Sequence, residues 1–382
     1  MTVIRSSHSP SSAPSDRDVP GPRARRWAGP RGVLAVGVSA AVLLGASACT
    51  GDVVKQSTGD SGNGPVVGVA ATPAASPAAG DPAGRTGRGA PVRDLARLGD
   101  DSGAPGDVAL LREGSLEIGA PSDLVTGRGR TVDVPRECTT LSTTSRGVTA
   151  ACGGSVIVVD GDGRTVRTVQ VDGTATAAAV IADGTVAVAV EGRDRMQFYG
   201  ADGAFLDDDP SSDSVDATVL LHDRNGGERL AAVDHAQSSV TEMRLSDRKY
   251  LAALRIGQGV GTLAAGSGTD GVAVASDTRQ DQALLYTLDE VVMLHQSVPT
   301  GPSPYAVTWD FPRALMWVST TGDNRLTAYR VDSGTPVEVG SFGTVRDVRR
   351  VFDGRDGSLL LTGDDGTLQM IPADQVTAGV RS

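Results

Sequence analysis

From about residue 92 onward the chain is punctuated by short apolar runs. Each begins at a small or turn residue and is followed by a polar turn and a second apolar run. Seven such pairs read in order: 106–111 with 115–118, 147–152 with 155–159, 184–190 with 196–199, 229–233 with 240–243, 271–276 with 283–286, 314–319 with 326–329, and 357–362 with 367–370. The last residues of the first runs, Leu111, Cys152, Val190, Val233, Ser276, Ser319 and Thr362, are spaced by 41, 38, 43, 43, 43 and 43. No helical period intervenes. A period near forty built from short strands predicts four-stranded sheets repeated about an axis, because one small twisted sheet cannot bury both of its faces alone. The expectation is an all-β chain, a seven-bladed β-propeller over residues 91–382.

Local chemistry agrees with that reading. Ala and Val, with Ser276, fill 186–190 and 272–276, which suits strands crowded close to an axis. Asp-Gly pairs at Asp162, Asp172, Asp183, Asp202, Asp270, Asp356 and Asp365 predict hairpin turns, since Gly accepts positive φ and Asp tolerates it. The seventh unit lacks an obvious fourth strand. Either 375–380 or the N-terminal run 66–70 must supply it, and the N-terminal run is favoured because it ties both chain ends into the ring.

The first 90 residues follow a different pattern. A basic cluster (Arg23, Arg25, Arg26, Arg31) precedes an apolar run at 33–44 that is short for a membrane span, then Gly45-Ala46-Ser47-Ala48-Cys49. This predicts a lipoprotein signal peptide over 1–48, with Cys49 acylated as the mature N-terminus and holding the protein on the extracytoplasmic face of the cell membrane. The alternative is cleavage by ordinary signal peptidase at Ala48, leaving a soluble secreted protein with a free Cys49. Residues 49–90, rich in Gly, Ala, Pro, Ser and Thr, read as a flexible linker. The two remaining cysteines, Cys138 and Cys152, lie fourteen apart around a polar turn, and in an oxidising compartment they predict a cross-strand disulfide. The alternative is a pair of buried thiols.

Composition narrows the partners. The formal charge is −11; residues 1–48 hold six arginines and two aspartates, so the rest carries 29 cationic against 44 anionic side chains. A domain this acidic is repelled by phosphate backbones, which excludes a nucleic-acid-binding role. Aromatics are only 3% of the chain, which disfavours stacking platforms for carbohydrate.

The sixth repeat, with Gly301, Pro304-Tyr305-Ala306, Trp317-Val318-Ser319-Thr320, Asn324, Leu326, Tyr329 and Gly334, resembles the YVTN-type propeller repeat, and Val274-Ala275-Ser276-Asp277 is a weaker copy. Over about 230–345, the segments Ser238-Ser239-Val240-Thr241 and Ala273 to Arg279, with those of repeat six, resemble a family of mycobacterial and other actinobacterial envelope lipoproteins. That resemblance implies a lipid-anchored propeller and implies no activity.

No sequence motif for catalysis emerges. After residue 48 the only histidines are His222, His235 and His295, without zinc or haem spacing. No nucleophile elbow or phosphate loop occurs. Asp160-Gly161-Asp162-Gly163-Arg164 places Arg164 where a calcium loop needs oxygen, and Asp207-Asp208-Asp209-Pro210 reads as a solvated acidic loop. Propellers bind at the end where loops between successive strands converge. Three such loops, 234–237, 277–280 and 322–325, make Asp234, His235, Asp277, Arg279 and Asn324 the candidate axial-face residues. The leading expectation is a monomeric, non-enzymatic binding or scaffolding module for an envelope protein or glycan, without cofactor. The rival is a metal-dependent lactonase-like or quinoprotein-like enzyme whose axial site would take a divalent cation.

Overall fold

The computed structural model describes residues 68–78, 80–99, 101–102 and 106–381. Residues 1–48, read above as a signal peptide, and Cys49 lie outside the described residues. The strands form six antiparallel sheets. The first holds β2 (Asp94–Arg97), β3 (Val108–Arg112), β4 (Ser115–Gly119) and β5 (Arg130–Asp133). The second has six strands: β6 (Cys138–Thr144), β7 (Gly147–Asp160), β8 (Thr165–Val180), β9 (Val186–Val190), β10 (Arg195–Tyr199) and β11 (Phe205–Pro210). The third comprises β12 (Ala217–His222), β13 (Glu228–Asp234), β14 (Ser239–Arg244) and β15 (Lys249–Arg255). The fourth comprises β16 (Val260–Ala265), β17 (Val272–Asp277), β18 (Gln282–Leu288) and β19 (Val292–Pro299). The fifth comprises β20 (Pro304–Asp310), β21 (Leu315–Thr320), β22 (Arg325–Arg330) and β23 (Val337–Gly343). The sixth joins β24 (Val348–Asp353), β25 (Leu359–Gly363) and β26 (Thr367–Ile371) to β1 (Arg85–Arg88).

The all-β propeller is therefore present, but the count of seven separate blades is corrected to six sheets. The cause lies in β7 and β8, which run for 14 and 16 residues, about twice the length of their neighbours. They carry on past the usual hairpin end, and Gly153 pairs with Ala175 across the join. Gly153 holds φ +60 there, and the register slips beside it between Gly153 and Ser155. An irregularity of this kind disrupts the ladder locally and bends the strand, and pairing resumes on its far side. The second and third sequence repeats consequently share one hydrogen-bonded sheet.

Ring closure also differs in detail. The strand that completes the last sheet comes from the N-terminal side, but it is β1, which pairs with β26 from Arg85↔Met370 to Arg88↔Thr367. Of the run 66–70, the described residues 68–70 are not in a strand. The alternative at 375–380 falls largely in a short helix, α2 (Ala373–Gly379). The segment read as a linker over 49–90 thus ends in sheet structure rather than in a free tether.

The core lies between neighbouring sheets. Ala109, Leu111 and Leu116 of the first sheet pack on Leu141, Val148 and Ala150 of the second. Met196 and Phe198 pack on Leu230 and Met243, and the pattern continues around the ring. It closes where Phe352, Leu360 and Met370 of the sixth sheet meet Val108 and Leu110 of the first. Each of these clusters buries one face of two sheets at once, which is why the repeat is stable only as a ring. A further cluster, with Val156, Val169, Val186 and Val188, lies between the two halves of the six-stranded sheet. Cys138 and Cys152 are direct register partners on β6 and β7 and form the expected disulfide. No helix among the described residues is long and apolar enough to cross a membrane.

Candidate functional site

The five residues singled out from the loops stand at equivalent turns, those joining the second and third strands of the third, fourth and fifth sheets. Two of them, Asp234 and Asp277, are occupied in building the loops. Asp234 ends β13 fully buried; its carboxylate accepts from the Gln237 N–H at 2.8 Å and from the Ser212 hydroxyl. Asp277, at the matching end of β17, accepts from the N–H groups of Gln258 at 2.9 Å and Gly259 at 3.0 Å. Both acids fix backbone at a turn, the role a short carboxylate plays wherever N–H groups lack ladder partners.

Arg279 and Asn324 reach outward instead, to an N-terminal segment crossing this face of the ring. Arg279 Nη2 donates to the Val69 carbonyl at 2.6 Å, and Asn324 Nδ2 donates to the Pro77 carbonyl at 3.1 Å. The loop face is thus partly covered by residues that the sequence reading assigned to the linker.

His235 has a different setting. Its Nδ1 meets the Asp216 carboxylate and its Nε2 faces the Gly261 carbonyl at 3.1 Å. Both partners are acceptors, so the doubly protonated ring donates to each whereas a neutral ring donates to one only. His235 and Asp216 line a cavity of about 680 Å³ along the ring's axis. Its walls are the innermost strands β2, β6, β12, β16, β20 and β24 together with the end of β8, so the six-stranded sheet contributes twice.

Several charged residues lining that cavity escaped the sequence reading: Asp101, Asp216 and Glu228, and four that pair across β2 and β24. Arg350 Nε donates to Asp94 Oδ1 at 2.8 Å, and Asp94 Oδ2 accepts the Leu141 N–H at 2.8 Å. Three residues further along the same two strands, Arg97 Nη2 lies 3.0 Å from Asp353 Oδ2 and donates to the Asp353 carbonyl at 2.7 Å. The Arg97 guanidinium also stacks on Phe352, 4.5 Å from the ring centroid, and the Thr308 hydroxyl donates to Asp353 Oδ1 at 2.8 Å. Burial pushes the Asp353 carboxyl above the usual carboxylate range, against the pull of Arg97. Burial also works against the Arg350 charge, but the Asp94 carboxylate outweighs it and the net shift is upward. A signal for these residues exists in the sequence: Asp94-Leu-Ala-Arg97 and Arg350-Val-Phe-Asp353 are complementary, and in a closed ring the first and last inner strands lie side by side.

Among the described residues no cluster of three or more His, Cys, Asp or Glu side chains is gathered to hold a metal ion. The remaining cavity wall mixes hydroxyls (Thr140, Thr218, Thr262, Tyr305) with apolar groups such as Leu95, Leu221, Leu263 and Phe352. Such a surface suits a ligand with both polar and apolar parts.

No family model and no curated protein sequence matches the chain. Solved structures match it in shape. Hydrazine synthase of Kuenenia stuttgartiensis superposes with a TM-score of 0.57 at 10% identity, covering 75% of this chain and 97% of that one. Streptogramin B lyase gives 0.56 at 12% identity, covering 74% and 94%. The β-propeller domain of Cps50 (Swd1) from Myceliophteria thermophila gives 0.57 at 15% identity, covering 75% and 97%. Those neighbours differ widely in what they are named for, and at such identities a common fold carries no common function. What this chain shares with them is the β-propeller.

Proposed function

We propose that the chain is an envelope-tethered binding propeller, held to the extracytoplasmic face of the cell membrane through acylated Cys49 and engaging a protein or envelope component at its loop face and axial cavity. The observation that carries the binding role is the cavity of about 680 Å³, where Asp94, Arg97, Arg350 and Asp353 neutralise one another in pairs. Charges consumed in this way shape and polarise a surface, whereas catalysis needs an ionisable group left free to act on a substrate. The sequence around Cys49 and the Cys138–Cys152 disulfide support export.

Two measurements test this. Metabolic labelling with palmitate, followed by membrane fractionation, should give a labelled, membrane-bound wild type and an unlabelled Cys49→Ala variant. Unlabelled, freely soluble wild type would overturn the tether. Separately, a photo-cross-linking residue replacing Tyr305 should yield one discrete adduct in cells, and the same residue at an outer position such as Val337 should not.

A second reading, an enzyme with an axial site, draws on His235 paired with Asp216, the arrangement of a base and the group that orients it. In its lactonase-like form this reading also needs a divalent cation, for which the described residues offer no gathered ligand set. Hydrolysis of a lactone or ester panel by wild type, abolished in His235→Ala, would replace the binding reading with this one.

A further inference from the structure

The N-terminal segment on the loop face is held as a ligand is held. Between residues 68 and 83, none of the described residues is in a strand. Side chains and turn backbone of successive loops grip it. The Ala74 N–H donates to the Ser303 hydroxyl at 2.8 Å. Ser76, buried between the fifth and sixth sheets, is bracketed on every polar atom. Its N–H donates to Asp347 Oδ1 at 2.8 Å, its hydroxyl donates to the Thr321 carbonyl at 2.9 Å and accepts from the Asp347 N–H at 2.7 Å, and its carbonyl accepts from Arg346 Nη2 at 3.1 Å. Pro73 is buried as well. Recognition of an extended Pro-containing peptide by a preformed groove has this character, since little conformational entropy is lost on binding.

One contact of the groove goes unmet. Asn324 is more than nine-tenths buried, and its Nδ2 donates to the Pro77 carbonyl at 3.1 Å and, more weakly, to the Ala78 carbonyl at 3.5 Å, while its Oδ1 has no partner. In extended backbone the N–H and C=O of one residue point the same way, so a side-chain amide normally takes both. Proline has no N–H, and the second half of the pair cannot form. The segment in place is therefore an imperfect occupant of a groove whose chemistry asks for a residue other than proline at that position.

We infer that the loop face is a peptide-binding groove, filled in this chain by its own residues 69–78, that accepts from a partner protein an extended Ala/Ser-rich segment with serine followed by a non-proline residue. A second copy of this chain is the poorer candidate, because its segment carries the same Pro77. The inference rests on the binding reading above and names the partner's chemistry. A segment attached in cis acts at an effective concentration on the order of mM, so it masks the groove from weak competitors and yields to a better-fitting one.

The test titrates two labelled synthetic peptides, residues 68–82 and the same with Pro77→Ala, onto the full chain by fluorescence polarisation. Ser76→Ala in the chain loosens the cis segment and should tighten binding of either peptide about tenfold. The Pro77→Ala peptide should bind about fivefold more tightly than the native one, the worth of one added hydrogen bond. Asn324→Ala in the chain should erase that preference. The inference is overturned if the Ser76→Ala chain, melting as a folded protein, binds neither peptide better than a scrambled control. Should Ser76→Ala fail to fold, hydrogen exchange on the wild type decides: a Ser76 amide opening faster than that of Thr86 on β1 supports a releasable segment, and exchange of both only by global unfolding overturns it. Concentration-dependent dimerisation of the Ser76→Ala chain would overturn the choice of partner. Loss of the peptide result leaves the palmitate and cavity cross-linking outcomes untouched, so the two proposals fail separately.

Discussion

Glu242 stands on β14 with its side chain fully buried against the fourth sheet, and neither carboxylate oxygen has a hydrogen-bond partner. The Arg229 guanidinium on the neighbouring strand is tied to Asp223 at 2.9 Å, leaving its Nη1 unpaired. Burial pushes the Glu242 carboxyl up, and the nearby Val292 backbone N–H and then the Arg229 charge offset this only in part. The sign of the linkage follows. A carboxyl raised in the folded state costs nothing while both states are protonated. As pH climbs through the ordinary Glu value of about 4.3 the unfolded chain ionises first, so stability falls with rising pH until the folded group ionises too. Glu242→Gln should therefore stabilise the fold more at pH 7.5 than at pH 4 in urea unfolding. An equal change at both pH values would mean that packing, not ionisation, sets the effect. Asp353 is shifted the same way by its own burial and adds to the same pH slope.

Strands differ in how much of themselves they show in the sequence. Second strands such as β9 and β17 are buried over most of their length, and their unbroken apolar runs make the repeat legible. The outermost strands are not like this. β1 reads Arg-Thr-Gly-Arg and β5 reads Arg-Thr-Val-Asp, both exposed at three of four positions, so no hydrophobic alternation marks them. That is why the closing strand was sought in the apolar run at 66–70 rather than at β1. Gly87 adds a clue visible only in three dimensions, since a Cβ there would stand 1.9 Å from the Val125 carbonyl oxygen. The count of blades was obscured for a related reason: nothing in the apolar pattern announces that β7 runs unbroken through Gly153 across both halves of the second repeat, or that β8 carries on to pair with β9 of the third. The cysteines, by contrast, declared themselves, because fourteen residues around a polar turn place two side chains opposite each other. Closing a loop of that length is worth about 3 kcal/mol by the chain-entropy account. The double variant Cys138→Ser, Cys152→Ser should lose about 2–3 kcal/mol, and wild type under strong reductant should lose a similar amount. A loss below about 0.5 kcal/mol would mean the β6–β7 hairpin is held by its ladder alone.

Closure of the ring is a property of the whole molecule, and it is where the first and last inner strands meet. β2 and β24 are about 256 residues apart in sequence, yet Asp94 faces Arg350 and Arg97 faces Asp353. Apolar packing between the sixth and first sheets supplies most of the attraction, through Val108, Leu110, Phe352 and Leu360. Packing alone tolerates a shift of one strand along the other. Two opposite-sign pairs in the order acid-base and base-acid do not, since a slip sets like charges together or strands one of them in a dry wall. The candidate cavity residues thus have two roles: they line the axial cavity and they fix the register in which the ring shuts. The consequence separates a charge's cost from a pair's worth. Asp353→Ala leaves Arg97 buried without its carboxylate and should destabilise by about 3 kcal/mol, the usual penalty for breaking a buried pair from one side. Arg97→Met combined with Asp353→Leu removes both charges and should recover most of that loss, while widening the register the ring accepts. Urea unfolding measures the first effect. The second should appear as slower or multiphasic refolding of the double variant, whose chain ends find each other through packing alone. If Asp353→Ala costs no more than the double variant, the pair contributes nothing beyond its packing, and closure register must be set by β1 on β26 instead.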